Sequence, residues 1–323
     1  MWGDFSRIGG SAACTVPVRQ VRYSFTRTHA AEGPVPSVMS RDLTSEFAAL
    51  FGDRIQLSTR IEELRNSYRA ARPFPHVVID NLFAPQILDP VLEEMSGMAE
   101  RQWMIVETKS QERIRRMSSG VELGRAGSQL VGLVHSAPFL YLVSEITGVW
   151  QLLPDPYLQG AGYAAMKPGD FFNVHSDRNV AYETGLHRRL AMIVFLNKAW
   201  DSRYHGQLEL WNSEATRCEV SVEPVFNRTV IFEVAYPNYH GVPQPIDCPV
   251  DRSRQSFIVY YHTAAIDGKL DVTPHTSIFA PRFYRPRSAS LKSAARDLTP
   301  PVLFRVAKKL VTLWRTAAGR NVP

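Results

Sequence analysis

Between residues 157 and 263 the chain is a succession of short β-rich runs, and no other feature constrains its fold as strongly. The runs are Tyr157–Met166, Phe171–His175, Leu190–Asn197, Gln207–Trp211, Cys218–Val222, Thr229–Val234 and Gln255–His262. Pro168-Gly169-Asp170 and Pro237-Asn238 are turn signals between them. Short strands with no long helix between them predict an all-β sandwich or barrel. Helices stand in front of it. The spacing predicts a helix over 44–72 and a buried strand over Phe74–Asp80. A helix opening at Pro85 follows, then another over 128–147. The fold class is therefore mainly β with flanking helices. The chain divides into a flexible leader (1–43), a domain (44–265) with a helical front (44–156) and a β core (157–265), and a basic extension (266–323).

Composition narrows the function classes. Hydrophobic residues make up 45% of the 323 and charged residues 21%, so the chain can bury a sizeable core and is not disordered throughout. The net charge of +6 suggests nucleic acid until it is located. From Pro281 onward ten Lys and Arg face one acid, Asp297, a charge of +9 that leaves the rest at −3. No nucleic-acid surface is expected on such a body. No apolar run reaches eighteen residues, and no secretory h-region is present. The three cysteines, Cys14, Cys218 and Cys248, lie far apart and suit a reducing, cytoplasmic compartment. In the extension, Leu303, Ala307, Leu310 and Trp314 form one stripe of an amphipathic helix with Arg305, Lys308, Lys309 and Arg315 opposite. Packing on the protein's own sheet is the first expectation and peripheral contact with an anionic membrane the second.

The chemistry concentrates at Asn173-Val174-His175-Ser176-Asp177, at the end of an expected strand. Alternation puts His175 and Asp177 on one face, about 7 Å apart along the strand. His240 is a third candidate ligand. Two histidines and one carboxylate form the facial triad of non-haem Fe(II) oxygenases, which leaves positions open for a bidentate co-substrate and O2. The helical H-E-x-x-H spacing of zinc proteases is absent. Farther on, Arg254 and Ser256 alternate onto one face of an expected strand, where a guanidinium can grip a carboxylate through two hydrogen bonds. Arg252 shares their parity and competes for that role. The Arg188-Arg189 pair fits a salt bridge or a substrate contact, and His187, His205 and His262 read as ordinary polar residues. Charged residues over 100–130, among them Arg113, Arg115, Arg116, Glu122 and Arg125, suggest a mobile lid or recognition loop.

The matches come in a fixed order. Lys167-Pro168-Gly169-Asp170 leads into His175-Ser176-Asp177. Phe195-Leu196-Asn197-Lys198, Gly206-Gln207-Leu208-Glu209-Leu210-Trp211 and Asn227-Arg228-Thr229-Val230 come next. His240-Gly241-Val242 and Arg254-Gln255-Ser256 close the series. In this series the chain from about Phe74 to Thr263 resembles the 2-oxoglutarate and Fe(II)-dependent oxygenases, in their prolyl-4-hydroxylase-like branch. The resemblance implies a double-stranded β-helix, or jelly roll, with Fe(II) on His175, Asp177 and His240. It also implies 2-oxoglutarate and O2 as co-substrates, with Arg254 on the distal carboxylate of 2-oxoglutarate. The activity it implies is hydroxylation of an unactivated C–H bond in an amino-acid, peptide or natural-product-type substrate, with release of succinate and CO2. Retention of Asp177 favours hydroxylation over halogenation. Two tyrosines common among relatives are replaced, by Met166 and Phe195, which leaves Ser256 or Tyr163 to assist with 2-oxoglutarate. The alternatives are a non-catalytic jelly-roll module and a cupin, although the three-His and Glu spacing of cupins is lacking.

Overall fold

The computed structural model describes residues 57–108, 112–117, 123–265 and 272–281. The expected leader, residues 44–56 of the first expected helix and the C-terminal amphipathic helix lie outside these residues. The helices are α1 (Leu57–Ala70), α2 (Pro85–Ser96), α3 (Arg125–Val134) and α4 (Ala137–Thr147). The strands before the core are β1 (His76–Asp80), β2 (Met104–Thr108) and β3 (Glu112–Met117). The core strands are β4 (Gly162–Met166), β5 (Phe171–Ser176), β6 (His187–Phe195), β7 (Leu208–Trp211), β8 (Cys218–Val222), β9 (Arg228–Glu233), β10 (Tyr239–Val242) and β11 (Arg254–Thr263). Last comes β12 (Ile278–Phe279).

The strands form one antiparallel path, β1-β9-β6-β11-β4-β3-β5-β10-β7-β8, with β2 added to β3 and β12 to β5. The corner is β3: Arg115–Met117 pair with β4, and Glu112 and Arg113 pair with β5. The path thus bends into two five-stranded sheets. Core strands β4, β6, β9 and β11 fall in one and β5, β7, β8 and β10 in the other, the alternation of a jelly roll. The segment expected as a lid is largely framework, since β3 bonds both sheets and residues 125–134 are helical.

The period of two on β11 separates the two sides of its sheet. Phe257, Val259 and Tyr261 point into the main hydrophobic core with Leu88, Val91, Leu130, Val134, Phe139 and Val143 of the helices. The Tyr261 hydroxyl donates to the Val134 carbonyl at 3.1 Å. Arg254, Ser256, Ile258 and Tyr260 face the space between the sheets. Opposite Tyr261 and His262 the register slips, pairing Tyr261 with Leu190 and His262 with Arg188. Arg189 is the extra residue of this bulge, a device that re-aims neighbouring side chains.

The helix expected over 128–147 is two helices meeting at 54°. Pro138 has no N–H, and its ring would clash with the carbonyl of Val134 in a continuous helix. Ser136 instead caps α4, its hydroxyl accepting from the Phe139 N–H at 3.4 Å. The start of α3 has no side-chain cap of its own. Glu94 of α2 supplies one, accepting from the Ala126 and Gly127 N–H groups at 2.8 and 3.2 Å. Residues 272–281, expected within the extension, return to the sheet. Ile278 and Phe279 pair with Ser176 and His175. Among the described residues no helix is long and apolar enough to cross a membrane; α3 and α4 reach that length only as a bent pair.

Candidate active site

The triad candidates converge at one point. His175 lies in β5, Asp177 follows that strand, and His240 sits opposite His175 in β10. Gly241 permits this closeness. A Cβ there would lie 2.9 Å from the Phe172 carbonyl oxygen and from the Val174 Cα, backbone atoms that cannot yield. The two imidazole centroids are 4.5 Å apart. One ligand atom from each of the three residues falls within 4.8 Å of the others, and all three residues are buried. The Nδ1 atoms of His175 and His240 lie 2.9 and 3.4 Å from the carbonyls of Asn173 and Asn238. A carbonyl only accepts, so Nδ1 carries a proton in each ring, and it is the Nε2 edge that faces Asp177; in a neutral imidazole so held, Nε2 is the atom with the free lone pair. The His175 ring is further held against Phe172, at 4.1 Å, and against Phe279 of β12, at 5.4 Å.

The electrostatics favour the ligand forms. Burial opposes charge on Asp177, but His240, His175 and Arg188 outweigh it and hold the carboxyl well below the usual carboxylate range. Burial first, then the neighbouring His175, pushes His240 down to about 4. Near neutral pH the site therefore offers an ionised carboxylate and a neutral imidazole at His240.

Arg254 lies deeper between the sheets and is 4% exposed. Its Nε donates to the Gly206 carbonyl at 2.6 Å, and its guanidinium lies 5.0 Å from the centroid of the Phe195 ring. Gly206 has φ +87°, and a Cβ there would lie 2.9 Å from the Arg254 side chain. No carboxylate among the described residues pairs with Arg254, and burial alone lowers its pKa to about 10. Ser256, on the same face, has a buried hydroxyl with no hydrogen-bond partner. A buried guanidinium and a vacant hydroxyl side by side suit an anionic oxygen ligand.

The other candidates separate. Tyr163 does not reach this cavity: odd positions of β4 face the helices, and its hydroxyl donates to Glu94 Oε1 at 2.7 Å. Of the two substitutes expected for the missing tyrosine, only Ser256 lines the cavity with the triad. Arg252 precedes β11 and donates to the Ala199 carbonyl at 3.0 Å. It borders a wider surface cleft of about 450 Å³ between α2 and the start of β11, which shares no lining residue with the triad cavity. His262, read as an ordinary polar residue, is 1% exposed with neither ring nitrogen hydrogen-bonded. Tyr260 was missed: its hydroxyl donates to Asp177 Oδ2 at 3.3 Å. The period-two rule that pairs Arg254 with Ser256 also reaches Tyr260, and would have found it.

Residues 159–262 match the family model of the 2OG-Fe(II) oxygenase superfamily. That segment runs from just before β4 almost to the end of β11 and holds every residue of the cavity's polar set. Over that segment the chain is similar to the 2OG-Fe(II) oxygenases. A search of curated proteins gives no match. Among solved structures, the chain is similar to a prolyl-4-hydroxylase of Pseudomonas putida, at 18% identity over 63% of this chain and 99% of that one, with a TM-score of 0.44. A 2OG-Fe(II) oxygenase-family oxidoreductase of Burkholderia pseudomallei matches at 13% identity over 62% and 90%, TM-score 0.46. A prolyl hydroxylase of Trichoplax adhaerens, solved with a hypoxia inducible factor peptide fragment, matches at 20% over 65% and 94%, TM-score 0.42. The family uses Fe(II), 2-oxoglutarate and O2. The donor set of this chain, two imidazoles and one carboxylate, fits Fe(II). The unpaired Arg254 and the vacant Ser256 hydroxyl fit a dicarboxylate.

Proposed function

We propose that this oxygenase hydroxylates an unactivated C–H bond of an amino-acid, peptide or natural-product-type substrate, converting 2-oxoglutarate and O2 to succinate and CO2. The observation that carries this reading is one cavity between the sheets holding both a His-Asp-His cluster and a buried guanidinium that no acid among the described residues pairs with. In the proposal His175, Asp177 and His240 hold Fe(II). Arg254 and Ser256 bind the distal carboxylate of 2-oxoglutarate. Bound iron supplies the redox chemistry that lets O2 attack a C–H bond. The protein's residues orient and exclude. The carbonyls of Asn173 and Asn238 fix the imidazole tautomers, and the apolar walls of Phe172, Ile193, Leu208 and Phe232 keep water out.

Substrate approaches, in this reading, from the side of Asp177. The loops there carry Arg178 stacked on the exposed Tyr182 ring at 3.7 Å, and Gln159, whose side chain accepts from the Tyr182 N–H. Buried Arg188 and His262 stand behind them. An anaerobic titration of the protein with Fe(II) and then 2-oxoglutarate should produce a weak visible charge-transfer band. A panel of amino acids, peptides and sugar-linked metabolites should then reveal a substrate that stimulates succinate formation. Neither band nor succinate with any of them would sink the proposal and favour a non-catalytic jelly-roll module.

A further inference from the structure

Three side chains converge on the two oxygens of Asp177. Oδ1 is 3.4 Å from His175 Nε2, and Oδ2 is 3.6 Å from His240 Nε2. Oδ2 also accepts the hydrogen bond from Tyr260. The Tyr260 ring is held in turn. The Arg188 guanidinium is centred 3.7 Å from its centroid, and Arg188 Nη2 donates to the Gln159 carbonyl at 2.9 Å. The bulge at Arg189 sets Arg188 opposite His262, on the Tyr260 side of the sheet.

A carboxylate can bind a cation through one oxygen or through both. In a site with three protein ligands, a second oxygen from the acid would take one of the positions that a bidentate co-substrate and O2 require. We propose that Tyr260 is a positioning residue: its hydroxyl holds Oδ2 of Asp177, so the carboxylate offers a single oxygen to the metal and the remaining positions stay open. The inference rests on the reading of His175, Asp177 and His240 as the metal site. Tyr260 lies on the same strand face as Arg254 and Ser256. One strand thus fixes both the orientation of a metal ligand and the clamp for the far end of the co-substrate.

Tyr260→Phe removes the hydroxyl and keeps the ring, its packing and the Arg188 stack. The probe is Co(II), added to metal-free protein under anaerobic conditions, with its ligand-field spectrum recorded before and after 2-oxoglutarate. Tyr260→Phe should weaken Co(II) binding about tenfold to a hundredfold. It should also change the spectrum and weaken the spectral response to 2-oxoglutarate, with the melting curve of the metal-free protein unchanged. Co(II) affinity within about twofold of wild type, with identical spectra in both states, would overturn the proposal. Arg188→Lys keeps the positive charge near Asp177 but loses the planar stack on the Tyr260 ring, so it should give a smaller loss in the same direction. A larger loss than in Tyr260→Phe would also overturn the proposal, and should Tyr260→Phe not fold, Arg188→Lys alone decides by whether Co(II) affinity falls. Wild-type protein that takes up no Co(II) would instead sink the metal-site reading itself.

Discussion

Along β11, alternate residues meet opposite environments. On the helix side Phe257, Val259 and Tyr261 are fully buried, and the one polar atom among them, the Tyr261 hydroxyl, is hydrogen-bonded. On the cavity side Arg254 and Ser256 are buried nearly as deeply, yet the Ser256 hydroxyl has no hydrogen-bond partner and no acid among the described residues pairs with Arg254. A buried polar group left unsatisfied costs about 1–3 kcal/mol. The outer face follows the rules of a protein core. The inner face breaks them where a ligand would complete the bonding. The comparison therefore separates residues kept for stability from residues kept for binding, although burial alone makes them look alike.

The largest effect should come from the triad. His175→Ala removes one of three candidate ligands, so metal uptake and any 2-oxoglutarate turnover should be lost together, as measured by Fe(II) titration and succinate release. Next in size, Phe257→Ala on the outer face should destabilise the fold by about 3–5 kcal/mol, the usual penalty for a large aromatic cavity. Denaturant unfolding measures it. Metal affinity of the molecules that remain folded should be unchanged, which keeps the two faces distinct.

Arg254→Ala tests the inner face by itself. Truncating one partner of a buried, charge-assisted pair costs about 2–5 kcal/mol in binding. The 2-oxoglutarate requirement should rise steeply while metal uptake stays near normal. The melting temperature should not fall as it does for Phe257→Ala, because no acid among the described residues is left unpaired. Arg252→Ala should change little, since that guanidinium meets backbone carbonyls near the surface cleft. The reverse ranking of the two arginines would mean that the clamp begins two residues earlier than the register of β11 indicates.

The local signals that were legible in the sequence are those of period two and of turns. Alternation placed His175 with Asp177 and Arg254 with Ser256, and the run of short strands gave the β core. Tyr163 was misjudged because alternation shows which residues share a face but not which side of the sheet that face meets. Glu94, 69 residues earlier, settles it by accepting the Tyr163 hydroxyl. The split of the helix over 128–147 was visible at Ser136-Ala137-Pro138, where a cap and a proline coincide, but apolar periodicity ran through it. The return of Ile278 and Phe279 to β5 carried no local signal. Two residues are too few for a pattern, and pairing beside a distant strand is decided by the folded sheet.

The smallest effect, and the one that divides the faces most sharply, belongs to Ser256→Ala. At an outer-face position, losing a hydroxyl that makes a bond lowers stability, typically by about 0.5–1.5 kcal/mol. Ser256 makes none, so its removal takes away an unsatisfied buried group and leaves only a void the size of one oxygen atom. Thermal stability of the ligand-free protein should therefore hold steady or rise slightly. With 2-oxoglutarate present the sign should reverse. A hydrogen bond to a charged carboxylate contributes about 1.5–3 kcal/mol, so affinity should fall by roughly one to two orders of magnitude, and the stabilisation by saturating 2-oxoglutarate should shrink with it. Differential scanning of wild type and variant, each with metal and with or without 2-oxoglutarate, reads both signs in one experiment. If Ser256→Ala lowers the ligand-free melting temperature and leaves the 2-oxoglutarate shift intact, then Ser256 belongs with Phe257 as a structural residue, and Arg254 holds the distal carboxylate without its help.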